Sequence, residues 1–566
     1  MNKFRIYLLL GGMMFFSLLL GGRLFFIQVV NADLYLSKAE DQYVNKNYHL
    51  YNRGEIYFRN KDGDLISAAT IKSGYFIQIN QDHIMDPDLV FENLNSVVEV
   101  DESNFNKAME GANNIAIASN INQEEAEKIR EMNLQGVTLH SQRWRFYPGN
   151  RVASHVLGLV SFEGHNKKGS YGLERYYEDV LNRPDSQYQV NLFAKIFDNK
   201  TKDQMDVNDQ EGDIITTIEP MIQSILEEEL RGIQDKWKSR SIGGIIINPN
   251  TGEVKSMALL PNFDPNDFSS ESSVSVFSNL LVEGVYEMGS VVKPLTIAAG
   301  LDSGVVEPDS TYFDPGSIQI DGYTISNFDG RGYGEVTMQE VLNRSVNTGV
   351  VHVMDEMGTD VFSDYIRGFG LDSKTEIDLP SEANNIIRNF DSPRRVEFAT
   401  ASFGQGVAFP PIAMTRALGV LANGGYLVDP YLVEGIQKKD GEIIKVNNGD
   451  RDKERVISED TSKKISRMLV NTVDEALLEG TVSLPRYNVA AKTGTAQIPY
   501  EDRRGYRDDA FLHSFFGYFP AYDPEFLIFL YHIEPQGAQY ASQTLTESFM
   551  NIVNFLIQYN NISPDR

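Results

Sequence analysis

Along the chain, the first strong pattern is a stretch without a single charge, residues 6–22, after which apolar character resumes beyond Arg23 and runs to Val30. A helix that crosses a bilayer needs ~20 predominantly apolar residues, and an arginine near one end can extend its guanidinium to the headgroups. Residues 6–30 are therefore expected to form a single-pass transmembrane anchor. Lys3 and Arg5 precede it, and Asp33, Glu40 and Asp41 follow it. The positive-inside rule then places residues 1–5 in the cytoplasm and the bulk of the chain outside the membrane. A cleaved signal peptide would need a shorter apolar core and a small-x-small cleavage site, and the text after Val30 (Asn31-Ala32-Asp33-Leu34) offers no clear one.

Residues 31–215 alternate short helical and extended patterns with polar turns. Positions 34–43 have helical character, 72–79 read as a strand rich in aromatic and β-branched residues, and 122–133 read as a charged amphipathic helix with a solvated face. Nothing in this module gathers catalytic groups. The Asp-rich run 203–213 marks a boundary, followed by an apolar stretch and then a helix over 220–237 with Met221, Ile225, Leu226 and Leu230 on one face. Two apolar runs flanking Asn248-Pro249-Asn250-Thr251-Gly252 predict a hairpin. A helix, a hairpin and further helices imply an α+β domain over 216–560, an antiparallel sheet flanked by helices, with a polar tail at 561–566.

Composition narrows the function. With 42% hydrophobic and 23% charged residues the chain is globular, and its net charge of −28 argues against nucleic acid. No cysteine is present, which excludes disulfides, zinc–thiolate sites and thiol catalysis. The eight histidines are scattered without an H-E-x-x-H pattern, so neither a metal nor a cofactor is expected.

Only one Ser-x-x-Lys occurs in all 566 residues, Ser290 and Lys293. On a helix the two lie one turn apart on the same face, where a desolvated lysine can take the proton of the serine hydroxyl and make it a nucleophile. Two further groups follow in order. Ser345-Val346-Asn347, after a helical run at 337–342, can supply a hydroxyl and an amide. Lys492-Thr493-Gly494-Thr495 follows a strand-like run at 487–491, 202 residues beyond Ser290.

In this order the three groups resemble the S-x-x-K, S-x-N and K-T-G motifs of the penicillin-binding protein and serine β-lactamase superfamily. Arg23-Leu24 with Gln28, Arg53-Gly54-Glu55-Ile56, Arg145-Phe146-Tyr147-Pro148 and the run 169–174 ending in Glu174 are similar to the N-terminal module of class B penicillin-binding proteins. The runs 249–253, 403–406, 421–425 and 492–497 are similar to their transpeptidase domain. An anchor, one non-catalytic pedestal or dimerisation-like module and one catalytic domain, without room for a glycosyltransferase, fit class B. Ser345-Val346-Asn347-Thr348-Gly349 looks more like the septal, cell-division type, because the aromatic-rich segment that elongation enzymes carry after this motif is absent. Three departures stand out: Met288 where the family usually has proline, Val291-Val292 for the commoner Thr-x or Ser-x, and Pro380-Ser381-Glu382 for Pro-Gly-Glu.

What the resemblance implies is a D,D-transpeptidase working through an acyl-enzyme. Ser290 would attack the penultimate D-alanine carbonyl of a peptidoglycan stem peptide, with Lys293 as base and the N–H groups of Ser290 and Thr495 as oxyanion hole. Ser345 and Lys492 would serve the leaving group, Asn347 the substrate amide, and Lys492, Thr493 and Thr495 the terminal carboxylate, with Gly494 allowing close approach. β-Lactam antibiotics would acylate Ser290. Implied partners are a multi-span glycosyltransferase and other division proteins. An elongation-type enzyme and a β-lactam-binding sensor are the competing readings. A β-lactamase is disfavoured because no E-x-x-L-N follows Ser345.

Overall fold

The computed structural model describes residues 52–112, 115–163, 166–183, 211–446, 454–500, 503 and 505–566, together with Gly11, Met14 and Phe16. Those three isolated residues are helical, with Met14 and Phe16 exposed. The rest of the expected anchor, the expected helix at 34–43 and most of the boundary run 203–213 lie outside the described residues. Among the described residues, no helix is long and apolar enough to cross a membrane.

The chain forms two compact units that do not follow chain order: Met1–Asn52, Ile71–Trp144 and Arg183–Gln210 in one, and Arg53–Thr70, Arg145–Asn182 and Glu211–Arg566 in the other. In the smaller unit, helices Pro87–Asn95, Glu102–Met109 and Gln123–Glu131 begin on Asp86, Asp101 and Asn122, whose side chains accept from the free N–H groups of the first turn. Asn122 and Glu125 complete a capping box, which is why the charged helix expected at 122–133 starts there. Its core gathers Ile77, Leu94, Phe105, Ile117, Ile121 and Ile129.

The larger unit is built on a five-stranded antiparallel sheet. Its elements are α1 (Pro220–Trp237), β1 (Ser241–Ile247), β2 (Val254–Leu260), α2 (Lys293–Asp302), α3 (Met338–Asn343), α4 (Asn347–Met357), α5 (Pro411–Ala422), α6 (Glu459–Asn471), β3 (Ala490–Pro499), β4 (Tyr506–Phe519), β5 (Phe526–Ile533) and α7 (Thr546–Asn560). The strand order is β3-β4-β5-β1-β2. The central strand β5 is apolar at nearly every position because both faces are covered: Ile528 and Leu530 join one core with α1 and α7, while Leu527, Phe529 and Tyr531 join another with α2 and α5. The hairpin at 248–252 connects β1 and β2, and Gly252 sits at φ +83° where a Cβ would meet the Asp429 carbonyl at 2.1 Å.

Helix α1 has the expected bounds but a rotated seam. Ile222, Leu226, Leu230 and Ile233 are buried, whereas Met221 is half exposed. Gln223 and Glu227 are buried beside that seam, Gln223 Nε2 donating to Glu227 Oε1, which widens the covered face in a way apolar counting misses.

Three motifs of the N-terminal module meet in this unit. Arg53 Nε and Arg145 Nε donate to the two oxygens of Glu174 at 2.5 and 2.6 Å, and the Tyr147 hydroxyl adds a third bond at 3.1 Å, all buried. Burial alone would raise the Glu174 carboxyl, but the two guanidiniums outweigh it and hold the group below the usual range. A second sheet joins 443–445, 433–438, 212–216, 56–59 and the first residues of Leu65–Ile79. At the C-terminus the residues of the expected polar tail are bound: Ile562 is buried, and the backbone N–H groups of Asp565 and Arg566 donate to the Arg486 carbonyl.

Candidate functional site

Ser290 lies in a short 3₁₀ turn, Gly289–Val292, that leads into α2 at Lys293. In a 3₁₀ turn residues i and i+3 eclipse, so the serine and the lysine share one face. The turn is set by its neighbours. Val291 and Val292 are buried in the core, and so is Met288, whose carbonyl accepts from Ser514 Oγ at 2.8 Å. The departures at 288 and 291–292 therefore act as apolar packing beneath the turn. Gly289 takes φ +62°, and a Cβ there would stand 2.9 Å from the Thr495 carbonyl, so the turn and strand β3 touch backbone to backbone.

Lys293 is 1% exposed, and its Nζ donates to Ser345 twice, to the carbonyl at 2.5 Å and to Oγ at 3.0 Å. Spacing alone suggested a bond to Ser290; the hydrogen bonds of this amine run instead to the second motif. Ser345 follows α3, which Thr337 and Glu340 cap reciprocally, and precedes α4. Its φ of +56° is costly for a residue with a Cβ, and this turn of the backbone presents carbonyl and hydroxyl to the same amine. Asn347, at the head of α4, donates from Nδ2 to the Ser326 carbonyl at 2.9 Å.

Lys492 comes from β3 and is likewise buried. Its Nζ donates to Ser345 Oγ at 3.1 Å and to the Thr493 carbonyl at 3.0 Å. Burial and the nearby Lys492 charge push the Lys293 amine well below its ordinary range, and burial lowers Lys492 to about 8. Strand alternation turns Thr493, Thr495 and Gln497 to the cleft while Gly494 and Ala496 face inward. Gly494 makes that packing possible: a Cβ would meet Ser514 Oγ at 2.4 Å, the Met288 carbonyl at 2.7 Å and the Val291 nitrogen at 3.0 Å. Thr495 Oγ1 accepts from the Ala541 N–H at 3.1 Å.

Ser290, Ser345, Asn347, Thr493 and Thr495 line one cleft enclosing about 300 Å³, with Lys293 and Lys492 bonded to Ser345 in its wall. Gln405, within the run 403–406, also lines it, and sequence reasoning missed Asp329, Tyr333, Arg344 and Tyr540. They come from loops and from the residue before Ser345, where no periodicity marks them. It also missed Glu287, three residues before Ser290, whose carboxylate accepts from the Tyr506 hydroxyl at 3.0 Å. Burial raises this carboxyl to about 7 against the bonds from Tyr506 and Gly406.

Residues 242–554 match the family model described as the penicillin-binding protein transpeptidase domain, and residues 50–217 match that of the penicillin-binding protein dimerisation domain. Stage V sporulation protein D of Bacillus subtilis is 31% identical over 550 residues, covering 95% of this chain and 82% of that protein. Peptidoglycan D,D-transpeptidase FtsI of Escherichia coli is 26% identical over 464 residues, covering 80% of this chain and 73% of that protein. Penicillin-binding protein 3 of Mycobacterium tuberculosis, solved in complex with aztreonam, shares the fold at a TM-score of 0.69 and 22% identity, covering 91% of this chain and 98% of that one.

Proposed function

The chain belongs to the class B penicillin-binding proteins, in which a dimerisation domain precedes a serine D,D-transpeptidase domain, and from that premise we propose that it cross-links peptidoglycan stem peptides at the division septum, anchored by residues 6–30. One observation carries the chemistry: two buried lysine amines share the Ser345 hydroxyl in the wall of the cleft that Ser290 lines.

Lys293 is the base. In its neutral form, which burial and the nearby Lys492 charge favour, its amine has two N–H groups, both spent on Ser345, and one lone pair left for the Ser290 proton. Ser290 Oγ attacks the penultimate D-alanine carbonyl, and the N–H groups of Ser290 and Thr495 hold the oxyanion where turn and strand meet. Collapse of that intermediate breaks the C–N bond, and the departing D-alanine amine takes a proton relayed through Ser345 between the lysines. Lys492, largely protonated below about pH 8, binds the terminal carboxylate with Thr493 and Thr495, and Asn347 holds a substrate amide. An amine of a second stem then displaces Ser290 and closes the cross-link. A β-lactam enters by the same first step and stays on Ser290.

The module at 31–215 serves as a pedestal that docks division proteins, among them a multi-span glycosyltransferase, since it gathers no catalytic groups. Depletion in the source cell tests the role: filaments support septal synthesis, and rounding supports elongation. The relative named for sporulation, at 31% identity across 95% of the chain, favours a second reading, a transpeptidase used in sporulation. Normal growth with failed spores supports that one.

A further inference from the structure

One wall of the cleft holds none of the residues assigned to acylation above. Residues 327–333 connect strands Tyr323–Ser326 and Gly334–Thr337 and are clamped from beneath by Asp314, which is 1% exposed. Its carboxylate accepts from Thr348 Oγ1 at 2.6 Å, Asn327 Nδ2 at 2.8 Å and the Tyr333 N–H at 3.0 Å. Thr348 follows Asn347 in α4, so a single buried group fixes this loop to the helix that carries Asn347. A loop tied down in this way can hold a ligand without first being ordered.

On that loop Asp329 accepts from the Tyr333 hydroxyl at 2.6 Å and from the Arg331 N–H at 3.0 Å. Burial works against its charge, but these bonds keep the carboxyl below its ordinary range, so it is ionised at neutral pH with lone pairs to spare. Arg344, the residue before Ser345, places its guanidinium carbon 4.9 Å from the centre of the Tyr333 ring. Its pairing with Glu340 at 3.1 Å is a surface contact one helical turn away, weak enough to yield to a ligand. Asp329, Tyr333 and Arg344 all line the cleft with Ser290.

We propose that Asp329, Tyr333 and Arg344 form the subsite for the acceptor amine, and that they select an amine borne on a carbon that also carries a carboxylate. This rests on the transpeptidase reading above. The Lys492–Thr495 strand accounts for the donor's carboxylate, and the 327–333 loop with Arg344 offers an anion and a cation that both contact one tyrosine. That pattern complements a zwitterion. An isolated side-chain amine would engage Asp329 alone and leave Arg344 paired only with Glu340. The acceptor arrives as an ammonium, loses one proton to water in the open cleft, and its lone pair forms the new amide C–N bond as the ester C–O bond breaks. The second N–H proton ends on Ser290 Oγ. Because Asp329 favours the ammonium, the loop acts on acceptor KM and not on kcat.

The test uses the full chain in detergent, an N-acyl-D-alanyl thioester as donor, and D-alanine or D-alaninamide as acceptor. The wild type is expected to prefer D-alanine. Asp329→Asn should raise KM for both acceptors by about tenfold. Arg344→Gln should raise it for D-alanine alone and erase the preference, and Tyr333→Phe should act as a weaker Asp329→Asn. Fluorescent penicillin reports the donor half separately and serves as the control for folding. Unchanged acceptor KM and preference in all three variants overturns the proposal. So does a loss of penicillin acylation parallel to the loss of acceptor capture, which would make the loop part of the donor site. A wild type that hydrolyses the donor and transfers to no amine overturns the transpeptidase reading and this one together.

Discussion

The amines of Lys293 and Lys492 stand 3.0 and 3.1 Å from the same oxygen, Ser345 Oγ, although 199 positions separate them in the chain. Burial and the nearby Lys492 charge push Lys293 well below its ordinary range and toward the neutral form, while burial lowers Lys492 only to about 8. The same contact thus produces a base and a carboxylate-binding cation.

The charge on Lys492 sets an alkaline limit. Its pKa is lowered to about 8, so the ammonium is lost as pH rises through that value. KM for a donor ending in a carboxylate should rise above pH 8, while a donor with an amidated terminus should show no such rise. Lys492→Arg, charged at every accessible pH, should abolish the limb. Steady-state kinetics from pH 6 to pH 10 check this.

Gly494 holds the nucleophile turn against β3. Gly494→Ala should lower stability by about 1–3 kcal/mol and slow acylation, since two of the three atoms its Cβ would strike are backbone atoms of the turn. Denaturant titration and penicillin labelling of one preparation give both quantities. Full-rate labelling would show that the turn can shift without consequence.

Ser381 occupies the place where the resembled family often has glycine, and its φ is +64°. Ser381→Gly should therefore stabilise the protein by about 1 kcal/mol, and Ser381→Ala should not. The turn is otherwise held by Glu382, which accepts from the N–H and hydroxyl of Thr375 and the N–H of Glu376. Thermal unfolding of the pair tests the assignment.

Glu287 links stability to pH. Its carboxyl rises from 4.5 to about 7 on folding, mainly through burial. Between those values the folded chain holds a proton that the unfolded chain has shed, so stability falls as pH rises through the window and stays reduced above it. Glu287→Gln should gain on the wild type from pH 4.5 to 7 by at most about 3 kcal/mol, less for the part of the carboxyl that water screens, and gain nothing further beyond. Chemical denaturation at pH 4.5, 6 and 8 measures it.

The chain announces its chemistry more clearly than its architecture. Ser290, Lys293, Ser345, Asn347 and Lys492–Thr495 are short spacings with chemically distinctive side chains, and the structure gathers all of them about one cleft. The hairpin at 248–252 and the bounds of α1 were legible because proline, asparagine and glycine mark turns and helix starts. Which face of α1 is buried was not, because Gln223 and Glu227 are covered together through their mutual hydrogen bond. The buried cluster in which Arg53 and Arg145 meet Glu174 was not legible either, since the two arginines stand 121 and 29 residues from that carboxylate. Asp329, Tyr333 and Glu287 stand in loops, where position depends on a buried clamp or a distant partner and leaves no period to read.

The central claim is that Ser290 carries the acyl group, and intact-mass analysis of the full chain after incubation with benzylpenicillin tests it most directly. One penicilloyl adduct per chain, mapped to the peptide containing Ser290 and absent from a folded Ser290→Ala variant, is the predicted result. An adduct of the same mass and stoichiometry on Ser290→Ala would contradict the account.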